Sequence, residues 1–264
     1  MMKHKKYVLL IVFVSFGVYF VLDEMYFKVI RTWFYELTYQ LGVSHILTYT
    51  LSGIPLFVGT YFISHKTSLF ESLGLNKSLI NGLLFSIICT LPMFIGFTVV
   101  FDFNPSIPID TILISIVAAG FFEELFFRGF LFGQIFKNTQ LGFIQSVFFG
   151  ALYFGLIHLY QSNELMELVG IFSITFLGGI LFAWVYTEWK YNLWVPIFLH
   201  ALMNLSWELF SVSDNALGGL YSNVFRLITI GLVIGLTVWY KKKNGMKLEV
   251  NKNTIWINKF SVTS

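Results

Sequence analysis

Two adjacent carboxylates and a guanidinium, in Glu123-Glu124-Leu125-Phe126-Phe127-Arg128, stand inside an apolar run long enough to cross a bilayer. A charge at the centre of a spanning helix costs about 2.5–3.5 kcal/mol on insertion scales. Charges crowded this closely therefore mark a functional site or a compensating network. On an α-helix residues four apart share a face, so Glu124 is placed to pair with Arg128 in the favourable orientation. Glu123 precedes Arg128 by five and, at about 100° per residue, points roughly 140° away. It is left without a local counter-charge, and a carboxylate held out of water without a partner suits a general base. The plainer alternative is a salt-bridge cluster that only packs helices.

Two histidines add to this set. His158 closes Phe154-Gly155-Leu156-Ile157-His158 in a later apolar run, and His200 opens His200-Ala201-Leu202-Met203-Asn204 in another. The four-residue spacing puts His200 and Asn204 on one helical face. Either histidine alone is equally well read as an interhelical hydrogen bond. Together with Glu123 they fit hydrolysis by water. Glu123 and His158 would hold and deprotonate the water, while His200 and Asn204 would donate hydrogen bonds to the oxyanion of a tetrahedral intermediate. Glu123, His158 and His200 also suit a zinc ion with one open position. However, His-Glu-x-x-His on one helix and a Gly-x-Ser-x-Gly elbow are both absent. The metal-free reading is preferred, and no cofactor is expected.

The elements that must position these groups are membrane helices. The chain has 264 residues, 56% hydrophobic and 12% charged, with mean hydropathy +0.75; soluble domains carry about 25% charged residues. The expected fold is all-α, a polytopic membrane helix bundle of about eight transmembrane helices. Spans are expected near 7–22, 46–63, 79–101, 110–133, 141–160, 167–187, 191–210 and 222–240. The N-terminal run resembles a signal peptide but lacks a small-residue cleavage site before Asp23, so it is read as a retained first helix. Residues 23–45 read as an interfacial helix or an extension of that span, and 64–78 as a loop with an amphipathic turn. The chain reads as one membrane domain, 1–264, with a motif-bearing core at 110–210 and a basic, poorly ordered tail at 241–264.

Charge sets the orientation. Lys3, Lys5, Lys6, Lys66, Lys77, Lys137, Lys190 and Lys241 to Lys243 fall on the N-terminal side, and Asp102, Glu164, Glu167 and Asp214 fall opposite. The positive-inside rule then makes both termini cytoplasmic, with Lys28 and Arg31 as exceptions. Basic residues at helix ends serve topology, so no nucleic-acid partner is expected. Cys89 is expected to pack in the core and Asp110 to open a helix after Pro108. Glu208 is expected at the membrane surface, and His4, His45 and His65 in solvated or interfacial places. Gly129 with Gly133, and Gly178 with Gly179, should allow close helix contact.

The order Glu123-Glu124-x-x-x-Arg128, Phe154-x-x-x-His158, His200-x-x-x-Asn204 resembles the three motifs of the CPBP family over roughly 110–210. Its members include CAAX prenyl endopeptidases of the Ras-converting enzyme type and bacterial bacteriocin-processing or immunity proteins. The resemblance implies a bundle of about eight membrane helices and an intramembrane glutamic endopeptidase. Glu123 would be the general base, His158 would help activate water, and His200 and Asn204 would form the oxyanion site. Glu124, Arg128 and Phe154 would support them. The implied partners are the lipid bilayer and a membrane-associated, lipidated or apolar peptide. The composition, rich in Lys, Asn, Ile and Phe, suggests a bacterial plasma membrane. Rival readings are a non-enzymatic immunity factor or scaffold of the same fold, a zinc-dependent variant, and a transporter using the buried Glu as a proton relay.

Overall fold

The computed structural model describes residues 2–64 and 66–258, with side chains from Tyr7 onward. His65, and the side chains of Lys3, His4, Lys5 and Lys6, lie outside the described residues. The first helix, α1, runs unbroken over Met2–Thr38. No proline or glycine pair interrupts its apolar sequence, so residues 23–38 extend the first span. A two-residue turn at Tyr39 and Gln40 leads into α2 (Leu41–Ser52), where the Gln40 side chain accepts from Val43 N–H. Gly53 joins α2 to α3 (Ile54–Ile63), which has proline in its first turn, where no amide is missed. The expected loop at 64–78 holds one short helix, α4 (Leu69–Leu73). Ser68 caps it, and Gly74 ends it at φ +85°, where a Cβ would lie 2.1 Å from the Tyr191 carbonyl.

After α5 (Leu79–Val100), Ile109–Thr111, Ile112–Phe132 and Gly133–Asn138 run as one continuous helix, here α6. Its middle section carries i→i+5 hydrogen bonding, a winding found mostly in short pieces at functional sites. There follow α7 (Phe143–Ile157), a 3₁₀ turn (Leu159–Gln161), α8 (Leu165–Glu188), α9 (Trp194–Leu209) and α10 (Leu220–Lys243). The protein is an all-α polytopic membrane bundle. Among the described residues six helices are long and apolar enough to span: Tyr7–Thr38, Leu41–Ile63, Leu79–Val100, Phe143–Gln161, Leu165–Glu188 and Leu220–Lys243. The two other expected spans differ for physical reasons. Glu123, Glu124 and Arg128 interrupt the apolar character of α6, and α9 has only 16 residues.

Helix α6 is the axis of the bundle, packing against α2, α7, α8 and α9. Its buried face is aromatic (Phe122, Phe126, Phe127, Phe130, Phe132), and Phe132 and Phe136 pack on Phe143 of α7. Cys89 is fully buried against Phe85 and Phe182. Gly129 and Gly133 do face neighbours closely, with Cβ positions 3.2 Å from Leu193 and 3.3 Å from Tyr186. Gly179 abuts Ala151 at 3.2 Å, but Gly178 faces open space, against expectation.

The tail also departs from expectation. Residues 244–258 are docked at the end of the bundle where α10 finishes. The carbonyls of Trp256, Thr254 and Ile255 accept from the amides of Gly142, Phe143 and Ile144, which open α7 and lack intrahelical acceptors. Fully buried Glu188 accepts from the Glu249 and Val250 amides at 3.0 and 2.9 Å and pairs with Lys241 at 2.6 Å. The polar composition that suggests a solvated tail is used up in these bonds.

Candidate active site

Helices α6 and α7 form an antiparallel hairpin. Their register is fixed where the Arg128 guanidinium lies 4.4 Å over the Phe154 ring and Phe127 meets Phe154 at 5.2 Å. One turn before Arg128 stands Glu124, and one turn after Phe154 stands His158. The two are therefore brought to one level. A turn placed at 133–141 would put them at different depths. Instead α6 continues to Asn138 and shifts the hairpin bend to 139–142.

Helix α9 completes the group. Its closest approach to α6 is at Gly120, where a Cβ would lie 2.9 Å from the Ala201 Cβ. That contact brings His200 over the carboxylates. Its Nδ1 bonds Glu124 Oε1 at 2.8 Å, and the same oxygen accepts from Arg128 Nη1 at 3.1 Å. His200 Nε2 faces Glu123 Oε2 at 3.9 Å. Glu123 and Glu124 thus face the two ring nitrogens of one imidazole. The Glu123 counter-group expected to be missing from its own helix comes from another.

Each ring nitrogen has a distinct task. A carbonyl only accepts, so the 2.6 Å contact of His158 Nδ1 with Phe154 O means that Nδ1 carries the proton and Nε2 is free to accept. Among the described residues no hydrogen bond or ion pair joins His158 to Glu123. Both histidines contact Phe154, with ring centroids 4.5 and 6.5 Å away. Asn204 reaches back to α6, donating Nδ2–H to the Ser115 carbonyl at 2.7 Å. Its second N–H has no protein partner among the described residues.

Burial is graded across the cluster. Glu124 is fully enclosed and Arg128 nearly so, whereas the Glu123 and His200 side chains keep 17% and 12% of their surface. Arg128 is wedged between the Phe154 and Phe182 rings at 4.4 and 5.5 Å. Its Nη2 has no protein partner, and it borders a cavity of only ≈10 Å³ walled by Gly150, Ala151, Gly179 and Ala183. Glu123 Oε2 and Glu124 Oε2 are likewise buried without partners. Among the described residues no three His, Cys, Asp or Glu side chains group as metal ligands.

The remaining candidates serve elsewhere. Asp110 lies in the first turn of α6 and accepts from Gln40 Nε2 and Gly42 N. Half-buried His45 packs on Phe27 and Tyr49. Glu208 lies at the end of α9, its carbonyl facing Asn104. Sequence reasoning misses three contributors. Ser115 acts through its backbone carbonyl, which carries no residue signature. Phe182 is one of 31 phenylalanines. Gly120 gives the only usable signal, a small residue just before Glu123.

Residues 105–206, which contain this whole cluster, match the family model described as Type II CAAX prenyl endopeptidase Rce1-like. The similarity is confined to this segment. The match runs from the loop before α6 to the last turns of α9, so the elements that meet at Glu124 all fall inside the matched segment. The chain is also 32% identical over 108 residues to YdiL of Bacillus subtilis (strain 168), which carries the name of a membrane peptidase. That similarity covers 40% of this chain and 38% of the relative, so the chain spans under two fifths of the relative's length. No solved structure matches it significantly.

Proposed function

We propose that this protein is a membrane-embedded endopeptidase that hydrolyses a peptide bond in a membrane-associated peptide. The observation that carries the reading is the Glu123 carboxylate. Its Oε2 is buried, has no hydrogen-bond partner, and faces His200 Nε2 at 3.9 Å across the gap between α6 and α9. A purely structural ion pair would have closed that gap, as Glu124 and Arg128 have done.

In this reading a water lies between Glu123 and the free Nε2 of His158. Glu123 takes its proton as the oxygen attacks the scissile carbonyl. The tetrahedral oxyanion accepts from His200 Nε2–H, in the imidazolium form, and from the uncommitted N–H of Asn204. Glu124 at Nδ1 fixes the ring and balances its charge, as the carboxylate of a catalytic triad does. Collapse of the intermediate breaks the C–N bond, and Glu123 returns the proton to the leaving amine. The products are a carboxylic acid and an amine, and no acyl-enzyme forms. Glu124, Arg128 and Phe154 act through His200 and His158 as positioning residues. The similarity to a named membrane peptidase and to the prenyl endopeptidase model supports the peptide bond as target. The lysines gathered at one end of the bundle support cytoplasmic termini in a bacterial plasma membrane.

The test is peptidomics on membranes holding either the wild type or Glu123→Gln. Product peptides present with the wild type and absent with the variant are expected, and they would reveal the substrate. Unchanged cleavage by purified Glu123→Gln would remove the base assignment. A parallel arm with exhaustive chelation is expected to leave wild-type cleavage intact; its loss would favour the zinc variant.

A further inference from the structure

Arg31 breaks the charge pattern of the chain, and its surroundings suggest why. Helix α1 has 37 residues, about 55 Å at 1.5 Å per residue, against a hydrocarbon layer of about 30 Å. Its final third therefore passes into the headgroup layer at the end opposite the N-terminus. There Arg31 makes no hydrogen bond or ion pair among the described residues. It lines an open cavity of ≈380 Å³ together with Tyr35, Tyr39, Gln40 and Asp110. Asp110 Oδ1 accepts from Gln40 Nε2 at 2.7 Å and Gly42 N at 2.8 Å, while Oδ2 has no hydrogen-bond partner among the described residues. Guanidinium and carboxylate thus face one space without pairing with each other.

We propose that this cavity binds the headgroup of a zwitterionic glycerophospholipid bearing a primary ammonium. The phosphate sits on Arg31 and the ammonium on Asp110. A guanidinium binds a phosphate through two parallel N–H bonds, and an ammonium donates to the free carboxylate oxygen. An anionic headgroup would satisfy Arg31 but meet the charge of Asp110, and a lone cation would do the reverse. Tyr35 and Tyr39, exposed by 44% and 81%, are of the type enriched at membrane–water interfaces. The depth of the cavity selects a lipid as the source of this headgroup. The inference is independent of the proposed peptidase activity.

The full chain in nanodiscs of phosphatidylethanolamine, phosphatidylglycerol or phosphatidylcholine, followed by native mass spectrometry of retained lipid, tests it. Phosphatidylethanolamine should be retained preferentially. Arg31→Gln and Asp110→Asn should each weaken retention about tenfold, the scale of one charge-assisted hydrogen bond. The Asp110→Asn variant keeps a side-chain oxygen to accept from Gly42. Half-buried Arg31 makes no hydrogen bond or ion pair among the described residues, so Arg31→Gln folds even if Asp110→Asn does not; circular dichroism checks both. Equal retention of the three lipids, or no effect of Arg31→Gln, would overturn the proposal. Displacement by soluble glycerophosphoethanolamine at the same concentration as lipid would overturn the lipid as occupant.

Discussion

Glu123 and Glu124 are neighbours in sequence, yet neutralising them should affect stability differently. Glu124 Oε1 holds both Arg128 and His200 in a fully enclosed place. Glu124→Gln leaves a buried guanidinium without its counter-charge, a loss of about 3–5 kcal/mol. A lowered melting temperature in detergent is the expected reading, together with lost cleavage. Glu123 makes no hydrogen bond through Oε2 and only the longer 3.9 Å approach to His200, so Glu123→Gln should melt near the wild type while abolishing cleavage. If the two variants melt alike, the division of labour between the carboxylates is wrong. Phe154 lies under the same guanidinium at 4.4 Å. Phe154→Leu should cost about 2 kcal/mol for a desolvated cation–π contact. The Glu124–Arg128 pair is legible from i,i+4 spacing alone. The approach of His200 to Glu123 is not, because the two stand on different helices whose packing no local spacing encodes.

Between elements, the distance from α6 to α9 is set at Gly120. Any Cβ there meets Ala201 at 2.9 Å, beside His200. Gly120→Val should push α9 outward and misplace the imidazole, and an ångström of misplacement costs about 100-fold in rate. Cleavage should fall by that order while the helical signal in circular dichroism persists. Gly178→Ala is the matched control, since its Cβ meets nothing within 4 Å. Normal cleavage by Gly120→Val would mean that this contact does not set the site. Hydropathy locates the helices, but helix ends are weakly encoded. The extension of α6 to Asn138 decides the depth of His158.

For the whole molecule, the tail closes one end. Lys241 neutralises Glu188, and Glu188 binds two tail amides. Lys241→Met leaves that carboxylate buried without a counter-charge, which should cost about 3 kcal/mol. Faster clipping of residues 244–258 by added protease is the corresponding readout; wild-type resistance would mean that the strap is held by its backbone bonds alone. From sequence the tail reads as solvated, because its Lys and Asn content is that of a surface segment. Its hydrogen-bond partners belong to α7 and α8, far away in sequence.

By itself the sequence determined that this is a helical membrane protein, where its apolar helices run, and which polar side chains are buried at a cost. Those properties depend on hydropathy and on spacings of a few residues, which any reader of the chain can count. Tertiary structure alone decided the stagger of α6 against α7, the α6–α9 contact at Gly120, and the use of the Ser115 carbonyl by Asn204. These depend on how helices distant in sequence pack, and on backbone groups that every residue shares, so no local pattern carries them.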